Sequence, residues 1–200
     1  MLVISIVIGL LLSSAANRAG ACDDSAFKRL LEGAPRYEYL GRYVNRAYEY
    51  SVFIPRGVTA YDGRDQANHE GFGLALGESA QSYIFVRGEH NSLEYDTPRQ
   101  AAIQMAEWLR QEGKKIESET ITDAHLGPLD AVLLVVSYTC PGSAHRYVLS
   151  SIMALSPDKR FIYELELYSP ANRYESDRPV LNRIIKSWKM LPGSRQQTRR

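Results

Sequence analysis

Ala131-Val132-Leu133-Leu134-Val135-Val136-Ser137-Tyr138 is the stretch that decides the fold. Its apolar side chains fall on both alternating faces, so it is expected to be a strand covered on each side. Eight residues are too few to cross a bilayer. Such a strand needs two covering layers, and the rest of the chain has to supply them.

On its C-terminal side, residues 146–155 and 160–168 alternate in apolar content and are joined by Ser156-Pro157-Asp158-Lys159, a turn sequence that predicts a hairpin. In the second arm Phe161, Tyr163, Leu165 and Leu167 share one face. Ile162, Glu164, Glu166 and Tyr168 share the other, which is expected to be the more polar side. On its N-terminal side, His125-Leu126-Gly127-Pro128 reads as a turn, and residues 114–122 as an edge strand.

Two helices are expected. Thr97-Pro98-Arg99-Gln100 combines a threonine cap, a proline where its missing amide costs nothing, and a glutamine placed for a capping box. That helix should run to about Gln111 and stop at Gly113, with Ala101, Ala102, Met105, Ala106, Trp108 and Leu109 on one face. The second should start at Asp177 as its cap, with Pro179 in its first turn. Val180, Leu181, Ile184, Ile185 and Trp188 form its apolar stripe. Trp108 and Trp188 are both expected in the core.

Nearer the N-terminus, residues 23–36 suit a short helix or an ordered lead-in, and tyrosines then gather at Tyr37, Tyr39, Tyr43, Tyr48 and Tyr50. Residues 47–54 read as a strand closed by Pro55, with Tyr48, Tyr50, Val52 and Ile54 on one face. Residues 56–71 have turn chemistry and are expected as a surface loop. Two short strands follow, over 71–76 and 82–88. The whole is an α+β pattern: an antiparallel sheet flanked by helices, in an α/β/α sandwich.

Tyr163-Glu164-Leu165-Glu166-Leu167-Tyr168-Ser169-Pro170, followed by a helix ending Ile184-Ile185-Lys186-Ser187-Trp188-Lys189, resembles the closing strand and helix of PsbP/Mog1-like domains. Tyr50-Ser51-Val52-Phe53-Ile54-Pro55 is similar to the strand that opens those domains. The resemblance covers about half of the chain. It implies an antiparallel sheet flanked by helices and an accessory or adaptor role without an active site. It transfers no catalytic or binding residue.

Composition sets the outer limits. The 200 residues are 44% hydrophobic, with 24 basic against 23 acidic side chains, an ordinary globular balance. The first twelve are nearly all apolar, too short for a membrane span, and are followed by small residues through Ala21, as in a secretory leader over 1–21. No basic residue precedes the run, so a buried strand or an uncleaved anchor stands beside that reading. Cleavage after Ala16, Ala19 or Ala21 is compatible with the pattern. The expected organisation is a leader over 1–21, one domain over 22–192 and a polar basic tail over 193–200, in a periplasmic or secreted protein. Removing the leader takes away Arg18 and no acid, leaving a neutral chain with no field to attract nucleic acid. Three states are open for Cys22: lipidated, since Ala19-Gly20-Ala21-Cys22 resembles a lipoprotein acceptor site, paired with Cys140 in a disulfide, or free.

No metal-binding spacing, phosphate loop, nucleotide fingerprint or nucleophile elbow is present, so no catalytic residue, metal or cofactor is assigned. Thirteen tyrosines against five phenylalanines suggest a recognition face instead, for an unidentified protein partner. Tyr37, Tyr39, Arg42, Tyr43, Arg46 and Tyr48, with the nearby loop of His69 and Glu70, are its candidate residues. The competing class is a periplasmic hydrolase or other enzyme using His69 and Glu70 as an acid–base pair. Glu89-His90 is a second such pair, and Cys140 with His145 is a candidate nucleophile and base.

Overall fold

The computed structural model describes residues 36–63, 71–77 and 82–192. The expected leader, the short helix or lead-in over 23–36 apart from Arg36, Cys22, His69, Glu70 and the tail over 193–200 lie outside these residues.

Eight strands form one antiparallel sheet, in the spatial order β1 (Arg36–Tyr39), β4 (Ala60–Gly63), β5 (Gly71–Leu76), β6 (Ser82–His90), β10 (Phe161–Pro170), β9 (Arg146–Leu155), β8 (Leu129–Thr139) and β7 (Lys115–Leu126). A second sheet has the order β11 (Lys189–Met190), β3 (Tyr50–Phe53) and β2 (Arg42–Asn45). Among the described residues two helices, α1 (Pro98–Gln111) and α2 (Tyr174–Ser187), cover opposite faces of the large sheet. The architecture is thus α+β, with antiparallel sheets flanked by helices.

The stretch 131–138 lies within β8, between β9 and the terminal strand β7. Val132, Leu134, Val136 and Tyr138 point into the layer beneath α1, with Met105, Ala106, Leu149 and Met153. Ala131 and the partly buried Leu133 point into the opposite layer. The capping box is formed: Gln100 N–H donates to Thr97 Oγ1 at 3.3 Å, and Thr97 N–H to Gln100 Oε1 at 3.1 Å. Such a cap contributes about 1 kcal/mol. The hairpin between β9 and β10 also lies where its turn residues place it. Ser156 Oγ donates to Asp158 Oδ1 at 2.7 Å, and Asp158 pairs with Arg160. Those hydrogen bonds hold the Asp158 carboxyl down at about 2. Its stabilisation is therefore complete above the ordinary carboxylate value of about 4 and is lost as pH falls through about 2.

Several expectations need correction. Residues 56–71 are not all loop, because β4 pairs with both β1 and β5. The expected strand over 47–54 is shorter: residues 46–49 form a turn with Glu49 at φ 57°, and the strand is Tyr50–Phe53. Helix α2 begins at Tyr174, so Asp177 does not cap it and Pro179 lies inside it. Asp177 instead accepts from Ser169 Oγ at 2.9 Å and pairs with Arg173, which ties the first turn of α2 to the end of β10. Trp108 is only half-buried, whereas Trp188 is fully in the core. The expected Cys22–Cys140 bridge rests on Cys22, outside the described residues; Cys140, buried just past the end of β8, is the one cysteine among the described residues.

The second arm of the hairpin departs furthest from expectation. Glu164 and Glu166, assigned to a polar face, are 3% and 2% exposed. Arg87 stands directly opposite Glu164 across the ladder between β6 and β10. Its Nε donates to Glu164 Oε2 at 2.7 Å and its Nη2 to Glu166 Oε1 at 3.2 Å. Burial opposes the charge on Arg87, but the carboxylates of Glu164 and Glu166 outweigh it and raise its pKa well above the usual arginine range. The cluster buries charge through mutual neutralisation and hydrogen bonding.

The small sheet rests on the layer opposite α1. Tyr43, Tyr48 and Tyr50 pack edge-on against Phe72, Phe161 and Tyr163, with ring centres 4.8–5.9 Å apart. Tyr163 Oη donates to the Tyr48 carbonyl at 3.0 Å, and burial raises its pKa above the ordinary phenol value. Gly88 makes room for this contact: a Cβ there would lie 2.9 Å from Tyr48 Cβ and 3.1 Å from Tyr163 Cδ1.

Two stability outcomes follow, both readable from urea unfolding midpoints. Gly88→Ala should destabilise by about 1–3 kcal/mol through overpacking; an unchanged midpoint would show that the two sheets do not meet so closely. Arg87→Met should cost up to about 3–5 kcal/mol at neutral pH, because two buried carboxylates lose their cation. Deprived of it, their folded-state pKa values rise, the native state binds more protons than the unfolded chain, and the penalty shrinks as pH falls. A penalty that grows in acid would contradict this account of the cluster.

Candidate functional site

Of the candidate recognition residues, Tyr43 and Tyr48 point inward. Tyr43 and Tyr48 are each 5% exposed and belong to the core, so the expectation that they form a recognition surface is corrected. Tyr39 is half-buried in β1 and packs edge-on against Tyr43 at 5.0 Å. Tyr37 is in β1, paired with Asp62. Arg42 and Arg46 are exposed, on β2 and in the turn after it.

Strand alternation explains what faces out instead. With Tyr43 and Asn45 turned inward, Arg42 and Val44 face solvent. Phe53 lies beside Arg42 across the ladder and is 54% exposed; Ser51 lies beside Val44, and Lys189 beside Ser51. Leu40, at the crossing from the large sheet into the small one, is 72% exposed. The outer face therefore carries Leu40, Val44 and Phe53 around Arg42, whose Nη2 donates to Ser51 Oγ at 3.2 Å. Leu40, Val44 and Phe53 were not among the candidates from sequence. Their signal was the alternation itself, once the tyrosines are assigned to the core.

Charge sets this side apart. No acidic residue occurs in β2, β3 or β11. Among the described residues, Arg42, Arg46, Arg56, Arg183, Lys186 and Lys189, on the small sheet, its flanking turns and the last turns of α2, have no carboxylate within ion-pair distance. Elsewhere basic side chains are commonly paired, as in Arg99–Asp123, Arg110–Glu119, Arg146–Glu117 and Lys159–Asp96.

The alternative chemistry has little support. His90 packs on Tyr48 and Phe161, His125 faces Asp130 at 3.6 Å, and exposed His145 lies in the loop before β9, so the three have separate surroundings. Cys140 is buried and His145 exposed. Among the described residues no group of three His, Cys, Asp or Glu side chains could hold a metal ion. A cleft of about 480 Å³ lies between the start of α1 and the adjoining ends of β7 and β8, lined by Thr97, Arg99, Asp123, His125 and Asp130. It is open to solvent, and its carboxylates are exposed. No described helix is long and apolar enough to cross a membrane.

No protein-family model matches the chain, and no curated protein sequence is similar to it. Solved structures do resemble it. The solution structure of cyanobacterial PsbP from Synechocystis sp. PCC 6803 superposes with a TM-score of 0.52 at 9% identity, covering 80% of this chain and 95% of that one. The Ran-binding protein Mog1p of Saccharomyces cerevisiae gives 0.53 at 9% identity, covering 80% and 97%. Identity this low speaks for the fold alone: over about four-fifths of its length, the chain has a PsbP/Mog1-like architecture.

Proposed function

We propose that this chain is an exported, non-catalytic accessory protein that binds an acidic protein partner through the outer face of its small sheet. The carrying observation is the coincidence of exposed Leu40, Val44 and Phe53 with cations that have no carboxylate partner, on a sheet that contains no acid. Apolar side chains ringed by unpaired charge of one sign suit a protein contact of complementary charge. The fold is consistent with this role: Mog1p is described as a Ran-binding protein. Export rests on the leader-like residues 1–21.

A photo-crosslinking amino acid at position 53 of the full-length protein, in its native cells, tests the reading. Position 103, an exposed apolar site on α1, serves as control. Position 53 should yield a discrete protein adduct in the envelope fraction, and position 103 should not. Arg42→Glu with Lys189→Glu should cut that adduct roughly tenfold, the equivalent of about 1.4 kcal/mol. Equal adducts at both positions, a lipid adduct, or indifference to the charge reversal would refute the docking surface. Recovery of the protein in the cytoplasm with residues 1–21 intact would refute export.

A further inference from the structure

We infer that the partner contributes an extended acidic segment, which joins the open edge of β2 as a fourth strand of the small sheet. The inference rests on the docking face proposed above and specifies how that face is engaged.

The backbone carries the argument. Ile54 N–H donates to the Gly41 carbonyl at 2.6 Å, which marks Gly41 and Ile54 as a hydrogen-bonded pair. Bonded and non-bonded pairs alternate along an antiparallel ladder. Tyr43–Val52 and Asn45–Tyr50 are therefore bonded pairs, while Arg42 and Val44, opposite Phe53 and Ser51, turn their N–H and C=O groups away from β3. Phe53 confirms the phase from the other side, since its N–H donates to Ser187 Oγ at 2.8 Å. Among the described residues β2 ends the sheet, and the outward backbone groups of Arg42 and Val44 have no hydrogen-bond partner. The same two residues expose their side chains, so an added strand would meet hydrogen-bonding groups, a cation and an apolar surface together.

A contrast with β7 sharpens the point. That strand also ends a sheet, but it carries a register irregularity between Ile116 and Ser118, and its Glu117 and Glu119 are paired to Arg146 and Arg110. Irregularities and charge are common means of blocking edge pairing. β2 has a regular register with β3, and Arg42 is without a carboxylate partner.

The charge also selects the occupant. A second copy pairing edge to edge would bring the Arg42 and Arg46 side chains of both copies together, and like charges across strands are unfavourable. A lipid surface would neutralise the cations but leave the backbone groups of the edge without partners, which is costly in an apolar phase. An extended segment bearing Glu or Asp satisfies both.

The test uses the full-length protein and an eight-residue, end-blocked peptide of alternating Glu and Val. Two derivatives carry N-methyl groups on all Glu amides or on all Val amides, and a third replaces Glu by Lys. In a strand alternate N–H groups face one neighbour, so one methylated peptide should lose at least tenfold in affinity and the other should bind as the parent does. The Lys peptide should bind at least tenfold more weakly. Val44→Pro should also lose tenfold while keeping the fold, since proline is tolerated where the N–H faces solvent. Equal binding of both methylated peptides, with the Lys peptide still weaker, would overturn strand addition and leave the basic docking face standing. No peptide binding, with the position 53 adduct intact, would do the same. Loss of both peptide binding and adduct would overturn the two together. A concentration-dependent doubling of mass, or vesicles of phosphatidylglycerol binding in place of the peptide, would overturn the choice of occupant.

Discussion

The contact between the two sheets is the constraint on which the rest depends. Tyr43, Tyr48 and Tyr50 form its inner surface and meet Phe72, Phe161 and Tyr163, with Trp188 at 5.2 Å from Tyr163. Aromatic pairs in such geometry contribute about 0.5–1.5 kcal/mol each beyond the area they bury. The large sheet accommodates them through Gly88, and the Tyr163 hydroxyl supplies a polar anchor at the Tyr48 carbonyl. Because a strand alternates strictly, committing Tyr43 to this seam commits Arg42 and Val44 to solvent. The same choice sets which backbone groups of β2 bond to β3 and which face outward. Core packing and the proposed recognition surface are therefore one decision.

The opposite face of the large sheet solves a different problem. Helix α1 covers β8 and β9 with small and flexible apolar side chains, Ala101, Ala102, Met105 and Leu109. On β6 and β10 the same face buries the Arg87–Glu164–Glu166 cluster, beside a stack of Tyr83 on Tyr168 at 4.8 Å. A buried ion cluster is weak evidence for net stability, but it fixes register, because a slip of one residue would separate Arg87 from Glu164. Much of the remaining charge is spent in surface pairs on α1, β7 and the hairpin turn. The small sheet stands out by contrast.

Legibility followed the range of the interaction. Local signals were readable: the threonine cap and Gln100 of α1, the Ser156–Lys159 turn, and the doubly apolar run in β8 each act within a few residues. The closing strand and helix were enough to suggest the PsbP/Mog1-like architecture that the superpositions show. Interactions between distant residues were not readable. Glu164 and Glu166 look like solvent-facing positions until Arg87, 77 residues from Glu164, is placed opposite them. Asp177 has the character of a helix cap, but Ser169 and Arg173 claim it for the join with β10. Strand β4 is hidden in a polar stretch because its neighbours, not its composition, make it a strand. Tyrosine is ambiguous by nature, apolar in body and polar at the tip, so composition did not show that Tyr43, Tyr48 and Tyr50 turn into the core and leave Arg42 and Val44 outside.

Amide hydrogen exchange of the free full-length protein, followed residue by residue through β2, tests this account most directly. It requires Tyr43 and Asn45 to exchange slowly, held by β3 with their side chains in the seam, and Arg42 and Val44 to exchange rapidly at the open edge. The inverse pattern, with Arg42 and Val44 protected and Tyr43 and Asn45 open, would put the tyrosines in solvent and contradict it.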